Sequence, residues 1–294
     1  MIRILGLNHG RLEEMRPGFI MCLWSDEGGI EIISIFKISN YNLKLITMFS
    51  KSMSQYRLSN NELLLLNNLY EIFSKNGFYI DKWPEIYYCD YNIAKHNFEI
   101  LEEEYPENNY IFNPDFLGIY SYNYSKEGII ILFRDRILNA SGTFQTKNKR
   151  FNNLDEIITL LKTKVLIHEI GHWLTHSCAI INKDEILFQY GTLPKVIKES
   201  LAQLTVIWSF YKRKSEFEYK LESFARIFMP KQPKPYYEFS KIHHIYSPEI
   251  ILKRYLGIAS QMTHLNEDSL FKLLIKNETD LRAIEIDVLN GKRI

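Results

Sequence analysis

Strand-like apolar runs separated by turn residues come early in the chain, and apolar positions recur at helical spacing further on. Residues 19–24, 30–38 and 43–49 carry the β-branched and aromatic runs expected of strands, with Gly28-Gly29 and Ser39-Asn40-Tyr41-Asn42 as turns between them. Ser59-Asn60-Asn61-Glu62 has the form of a capping box, and the helix it opens is expected to run to about Lys75, with Gly77 as its stop. A short strand is expected at 85–90, followed by a charged helix through Glu104, with Pro106 and Asn113-Pro114 marking loops. Residues 118–124 and 129–133 read as a hairpin turning at Ser125-Lys126-Glu127-Gly128. The polar, glycine-containing stretch 139–150 reads as a flexible loop.

From Leu154 the spacing is helical: Leu154, Ile157, Ile158, Leu161 and Val165 share a stripe, and Asn153 can cap the start, with Glu156 in the capping-box position. The segment continues through Leu166, Ile170, Trp173 and Leu174, apolar enough for burial on most sides. Pro194 suits the first turn of another helix, expected over 195–211 with Val196, Ile197, Leu201, Leu204, Ile207 and Trp208 apolar. A helix over 216–229 is stopped by the proline-rich run 230–235, and two more are expected at 248–262 and 268–276. The pattern predicts an α+β fold: a β-rich N-terminal region, a small mixed or antiparallel sheet, and a helical C-terminal part. The expected division is residues 1–80, an α/β region without recognisable chemistry, and 81–294, holding the sheet and central helix (81–180) and the helical part (181–294).

Composition narrows the function classes. With 294 residues, 46% of them apolar, the chain can build one large core or two small ones. Its 36 basic and 35 acidic residues nearly cancel and form no basic stripe, which argues against nucleic acid as the main partner. Cys22, Cys89 and Cys178 are odd in number and make no C-x-x-C, so a disulfide framework is not expected. No apolar run reaches the length of a membrane span, and the first ten residues lack the charged-then-apolar pattern of a secretory signal, so a cytoplasmic protein is expected. No acidic run suggests a calcium loop.

The candidate chemistry lies in His168-Glu169-Ile170-Gly171-His172. Positions four apart on a helix lie one turn above each other, so His168 and His172 can offer two imidazole nitrogens to one metal ion, with Glu169 beside them to take a proton from water. The alternative is a core helix with two structural histidines and an ion-paired glutamate, which the expense of burying unpartnered polar groups disfavours. A catalytic zinc site needs a third protein ligand. A metzincin would have glycine at 175 and histidine at 178, where this chain has Thr175 and Cys178. His176, on the next turn of the same straight helix, cannot converge with the first two. Cys178 is a candidate, though unusual beside two histidines; Asp184, Glu185 and Glu199 are the carboxylate candidates. Glu199 is favoured, because a carboxylate on an otherwise apolar helix wants a partner; its alternative is a solvent-facing glutamate near a helix start. Gln203, one turn later, could hold a ligating histidine by its second ring nitrogen.

His168-Glu169-x-x-His172 and Glu199-Ser200-Leu201-Ala202-Gln203 together resemble the glutamate-zincin group of metallopeptidases, over about residues 118–210. The resemblance implies a zincin-like module holding one Zn2+ per chain through His168, His172 and Glu199, with Glu169 as general base and a peptide or protein as substrate. It also implies that strand 129–133 borders the cleft and pairs with extended substrate, although its continuous apolar run equally suits a wholly buried strand. An oxyanion donor downstream of the third ligand is implied too, for which His243, His244 and Tyr246 are candidates; aromatic packing is the alternative for each. Two departures stand out: an acidic residue is common in the group where this chain has Gln203, and the loop between the two motif helices is longer here. Two rival functions remain open: a non-catalytic module that binds a partner, and a protease for one specific protein, with residues 1–80 as its recognition domain. His9, His96 and His264 receive no role, and oligomeric state is not legible.

Overall fold

The computed structural model describes residues 21–24, 30–33, 53–78, 80, 83–104, 116–122, 128–148, 150–178, 180–182, 185–186, 193, 195–212, 214–228 and 247–261. In chain order the elements are β1 (Met21–Trp24), β2 (Ile30–Ile33), β3 (Ser54–Gln55), α1 (Asn60–Ser74), β4 (Glu85–Cys89), α2 (Tyr91–Glu104), β5 (Gly118–Tyr122), β6 (Gly128–Phe133), α3 (Arg134–Lys147), α4 (Leu154–Cys178), β7 (Ile180–Asn182), β8 (Glu185–Ile186), α5 (Lys195–Ser209), α6 (Glu216–Phe228) and α7 (Pro248–Gln261). The architecture is α+β, with helix predominating. Strands β1 and β2 pair antiparallel, in keeping with the turn read at Gly28-Gly29. The strand expected at 43–49, the proline-rich run 230–235 and the helix expected at 268–276 lie outside the described residues.

Four strands form a mixed sheet in the order β3-β4-β6-β5, with β6 parallel to β4 and antiparallel to β5. Along β6, period-two alternation sends Ile130 and Leu132 into the core shared with α4 and α5. Ile129, Ile131 and Phe133 face the other way, onto Tyr91, Ala94 and Phe98 of α2. Both faces are therefore covered, which is why this strand reads as an unbroken apolar run. Of the two readings of 129–133, a strand bordering the cleft or a wholly buried one, the buried one holds. Like β4 it is an interior strand of the sheet, and among the described residues the edge beside the central helix is β5.

Helix α1 begins with the full reciprocal box: Ser59 Oγ accepts from the Glu62 amide, and Glu62 Oε2 accepts from the Ser59 amide. Gly77, at φ 83°, supplies the left-handed turn after the helix. Glu62 is also a tertiary anchor, since it accepts from the Tyr56 hydroxyl at 2.7 Å and the Thr163 hydroxyl of α4 at 3.3 Å. Asn68 donates to the Ser209 carbonyl and to Glu218, binding α1 to the end of α5 and the start of α6. Leu65, Leu66, Leu69 and Phe73 of α1 enter the same core as α4 and α5.

A correction concerns 139–150, read as a loop. Residues through Lys147 belong to α3, which buries Ile137, Ser141 and Phe144 at i, i+4 and i+7. Three small or single anchors on one face suffice because the sheet and α4 lie beneath them, and Gly142 is tolerated with open space around it.

Helix α4 is buried on most of its circumference and packs against α3, α5, α6, β5 and β6. Asn153 Oδ1 accepts from the amides of Asp155 and Glu156 at 2.9 and 3.3 Å, the expected cap. Glu156 does not reach back to complete a box; its carboxylate pairs with Lys220 of α6 at 2.9 Å. No described helix is long and apolar enough to cross a membrane.

Candidate metal centre

The site depends first on how closely two helices approach. A Cβ at Gly171 of α4 would fall 2.6 Å from the Ala202 Cα of α5 and 3.0 Å from Thr205 Cβ and Oγ1. Only the missing side chain on one helix and the small one on the other let the backbones come this near. One turn from that contact on α5, Glu199 reaches the His168–His172 face of α4. Its Oε2 lies 3.3 Å from His168 Nε2 and 3.5 Å from His172 Nε2.

The two imidazole rings stand nearly perpendicular, at 87°, with centroids 4.9 Å apart. One ligand atom from each of the three residues lies within 4.8 Å of the others, so the group could hold a metal ion. The side chains are only 12–15% exposed. Glu199 Oε2 is buried and in ion-pair contact with the two imidazole nitrogens. A cation at this point could be held by the oxygen and both rings together.

Electrostatics separates the three. Burial pushes His168 down to about 4, which keeps it in the neutral form that ligates metals. At His172 burial again disfavours the charged ring, but the Glu199 and Glu169 carboxylates outweigh it and raise the value. Burial alone would raise Glu199; the two imidazoles reverse this and hold its carboxyl far below the ordinary range.

Glu169 lies on the flank of the group, 7% exposed and pushed up to about 7 chiefly by burial. Strand β5 passes directly over it: a Cβ at Gly118 would meet Glu169 Cγ at 3.3 Å and Val165 Cγ1 at 2.9 Å. The Tyr120 amide donates to the Glu169 carboxylate. The Tyr120 hydroxyl is hydrogen-bonded to His176 Nδ1 at 2.8 Å, two turns along α4 from His168. Strand and helix are thus tied on both sides of the glutamate.

His168, His172 and Glu199 come together as the two motifs suggest, with Glu169 beside them. Cys178 ends α4 in the hydrophobic core and is not in the group. Glu185 falls in β8, while Asp184, His243, His244 and Tyr246 lie outside the described residues. Gln203 is fully buried one turn past Glu199, yet neither end of its amide has a hydrogen-bond partner, so the bond expected from it to a histidine is absent. Three further residues bear on the site: Tyr120, His176 and Lys164, whose ammonium is buried one turn before His168. The spacing of His176 and Lys164 from His168, eight and four residues, was the available signal for two of them; nothing in the local sequence marks Tyr120. Comparison of the chain with protein-family models, with characterised proteins and with solved structures finds no match.

Proposed function

We propose that this protein is a zincin-like metallopeptidase, a zinc-dependent hydrolase of peptide bonds. The observation that carries the reading is the convergence of two imidazole nitrogens and one buried carboxylate oxygen within 4.8 Å, with the buried Glu169 next to His168 on α4. Two nitrogens and one oxygen are the donor set that catalytic zinc favours. When bound there, zinc would supply Lewis acidity, lowering the pKa of a water and polarising a carbonyl.

The chain's own residues carry the rest. Glu169 takes a proton at its carboxylate as water attacks the peptide carbonyl, and returns it to the departing amine. The Tyr120 amide fixes which way that carboxylate points. Among the described residues, β5 is the edge strand of the sheet, paired with β6. An extended peptide laid along that edge would have its scissile bond beside Glu169.

The test is Glu169→Gln, compared with wild type on unfolded casein with zinc supplied. Cleavage by wild type and at least a thousandfold less by the variant, at equal zinc content, supports the reading. Full activity in Glu169→Gln would refute the assignment of the base. Absence of cleavage by zinc-loaded wild type favours the narrower alternative, a protease for one specific protein or a non-catalytic binding module.

A further inference from the structure

Val165, Glu169 and His176 fall on one face of α4 by helical spacing, and β5 packs along it. Two glycines set how the strand lies there. Gly118 brings its backbone down on the first two side chains, since a Cβ there would meet Val165 Cγ1 at 2.9 Å and Glu169 Cγ at 3.3 Å. Gly128, on the paired strand β6, makes room for the Tyr120 ring. A Cβ at Gly128 would fall 2.4 Å from Tyr120 Cε2 and 2.7 Å from the hydroxyl oxygen. The ring so placed ends on α4, where its hydroxyl is hydrogen-bonded to His176 Nδ1 at 2.8 Å, both side chains being buried.

Tyr120 therefore meets the helix at two points. Its amide donates to the Glu169 carboxylate, and its hydroxyl meets His176 two turns further on. His176 stands one turn beyond His172 and is not in the metal-binding group. Either side chain without the other would be a buried polar group lacking this bond, which costs more than the bond itself is worth. The contact thus favours one position of the strand along α4 over its neighbours. For a carboxylate that must take a proton from water, position decides the rate: a displacement of about 1 Å costs up to a hundredfold.

We infer that Tyr120 and His176 are positioning residues for Glu169: their side-chain hydrogen bond fixes β5 along α4 and so holds the Tyr120 amide on the Glu169 carboxylate. The inference rests on the reading of Glu169 as the general base, given above. It is tested on the zinc-loaded full-length chain with Tyr120→Phe, His176→Leu and His176→Asn. Phenylalanine keeps the ring and loses the hydroxyl, leucine loses the ring nitrogen, and asparagine keeps a polar atom near the place of Nδ1. Amide hydrogen exchange at residue 120, followed by NMR, reads the bond to Glu169, with the amides of β6 and the rest of α4 as the reference for overall stability. Initial rates on labelled casein read the consequence for turnover.

The residue-120 amide should exchange about tenfold or more faster, relative to the reference amides, in Tyr120→Phe and His176→Leu. It should keep its wild-type protection in His176→Asn, with equal zinc content in all. Turnover of casein should fall about tenfold or more in the first two variants and recover in the third. The double variant Tyr120→Phe/His176→Leu should lose no more than either single one, as expected when both remove the same bond. Unchanged relative protection at residue 120 in Tyr120→Phe and His176→Leu overturns the inference. So does faster exchange shared equally by the reference amides, or a loss that His176→Asn does not restore. The exchange measurement decides the matter whether or not casein is cut. Full wild-type activity in Glu169→Gln refutes the base itself, and the inference falls with it whatever the exchange shows.

Discussion

Replacing Gly171 by alanine tests whether the site depends on the close approach of α4 and α5. The added methyl would stand 2.6 Å from the Ala202 Cα and 3.0 Å from Thr205. Carbon atoms at rest are about 3.5–4.0 Å apart, so α5 must retreat by roughly 1 Å, and because the obstacle is backbone no rotamer change relieves it. Overpacking of this kind costs ~1–3 kcal/mol, here near the upper end, against a gain of ~1 kcal/mol from alanine's better helix propensity. The net loss of ~2 kcal/mol corresponds to a Tm lowered by about 3 °C in a protein of this size. Glu199 moves with α5, and the oxygen now 3.3 and 3.5 Å from the two Nε2 atoms leaves the common point. Metal sites tolerate errors of only about 0.2 Å in ligand position, so zinc affinity should fall at least ~10-fold. Calorimetric unfolding of the metal-free protein and a competitive zinc titration read the two effects. A variant with its Tm within about 1 °C of wild type and unchanged zinc affinity would refute the argument that this glycine sets the helix spacing.

The opposite result is expected at Gly142, which has nothing within 4 Å of where a Cβ would lie: Gly142→Ala should stabilise the protein by ~1 kcal/mol in denaturant unfolding. Asn153→Ala removes the acceptor for two amides at the start of α4 and should cost ~1 kcal/mol by the same measurement. Burial lowers Lys164 from 10.5 to about 8, so between those values the unfolded chain binds more protons than the folded one, and metal-free wild type should gain stability as pH rises through that window. Lys164→Met should lack this slope and be more stable than wild type at pH 7 by ~3 kcal/mol; a stability difference independent of pH from 8 to 10.5 would contradict it.

What the sequence made legible was local. His168 and His172 are four apart on a strongly apolar helix, and Glu199 is a carboxylate on another, so both halves of the site follow from helical period and the expense of burying charge. The closing of the two halves depends on Gly171 against Ala202, a contact between positions 31 residues apart that neither segment shows by itself. The same limit applies to the sheet. The run Ile129-Ile130-Ile131-Leu132-Phe133 reads as a strand, but that β4 and β5 flank it, leaving β5 at the edge over Glu169, is a matter of pairing between distant segments. Helix α3 was hidden for a different reason: Ile137, Ser141 and Phe144 are too sparse a stripe to outweigh Gly142 and the polar residues around it, until the sheet beneath is known. Gln203 was legible as a polar residue one turn from Glu199, but not as one whose buried amide has no hydrogen-bond partner.

The claim on which the rest depends is that His168, His172 and Glu199 hold a single metal ion, and elemental analysis of purified wild type, His172→Ala and Glu199→Ala tests it most directly. About one zinc per chain is expected in wild type after zinc is supplied, with loss of the ion in both variants. Zinc retained in Glu199→Ala would show that the third ligand is elsewhere, and wild type that binds no metal would contradict the account of the site.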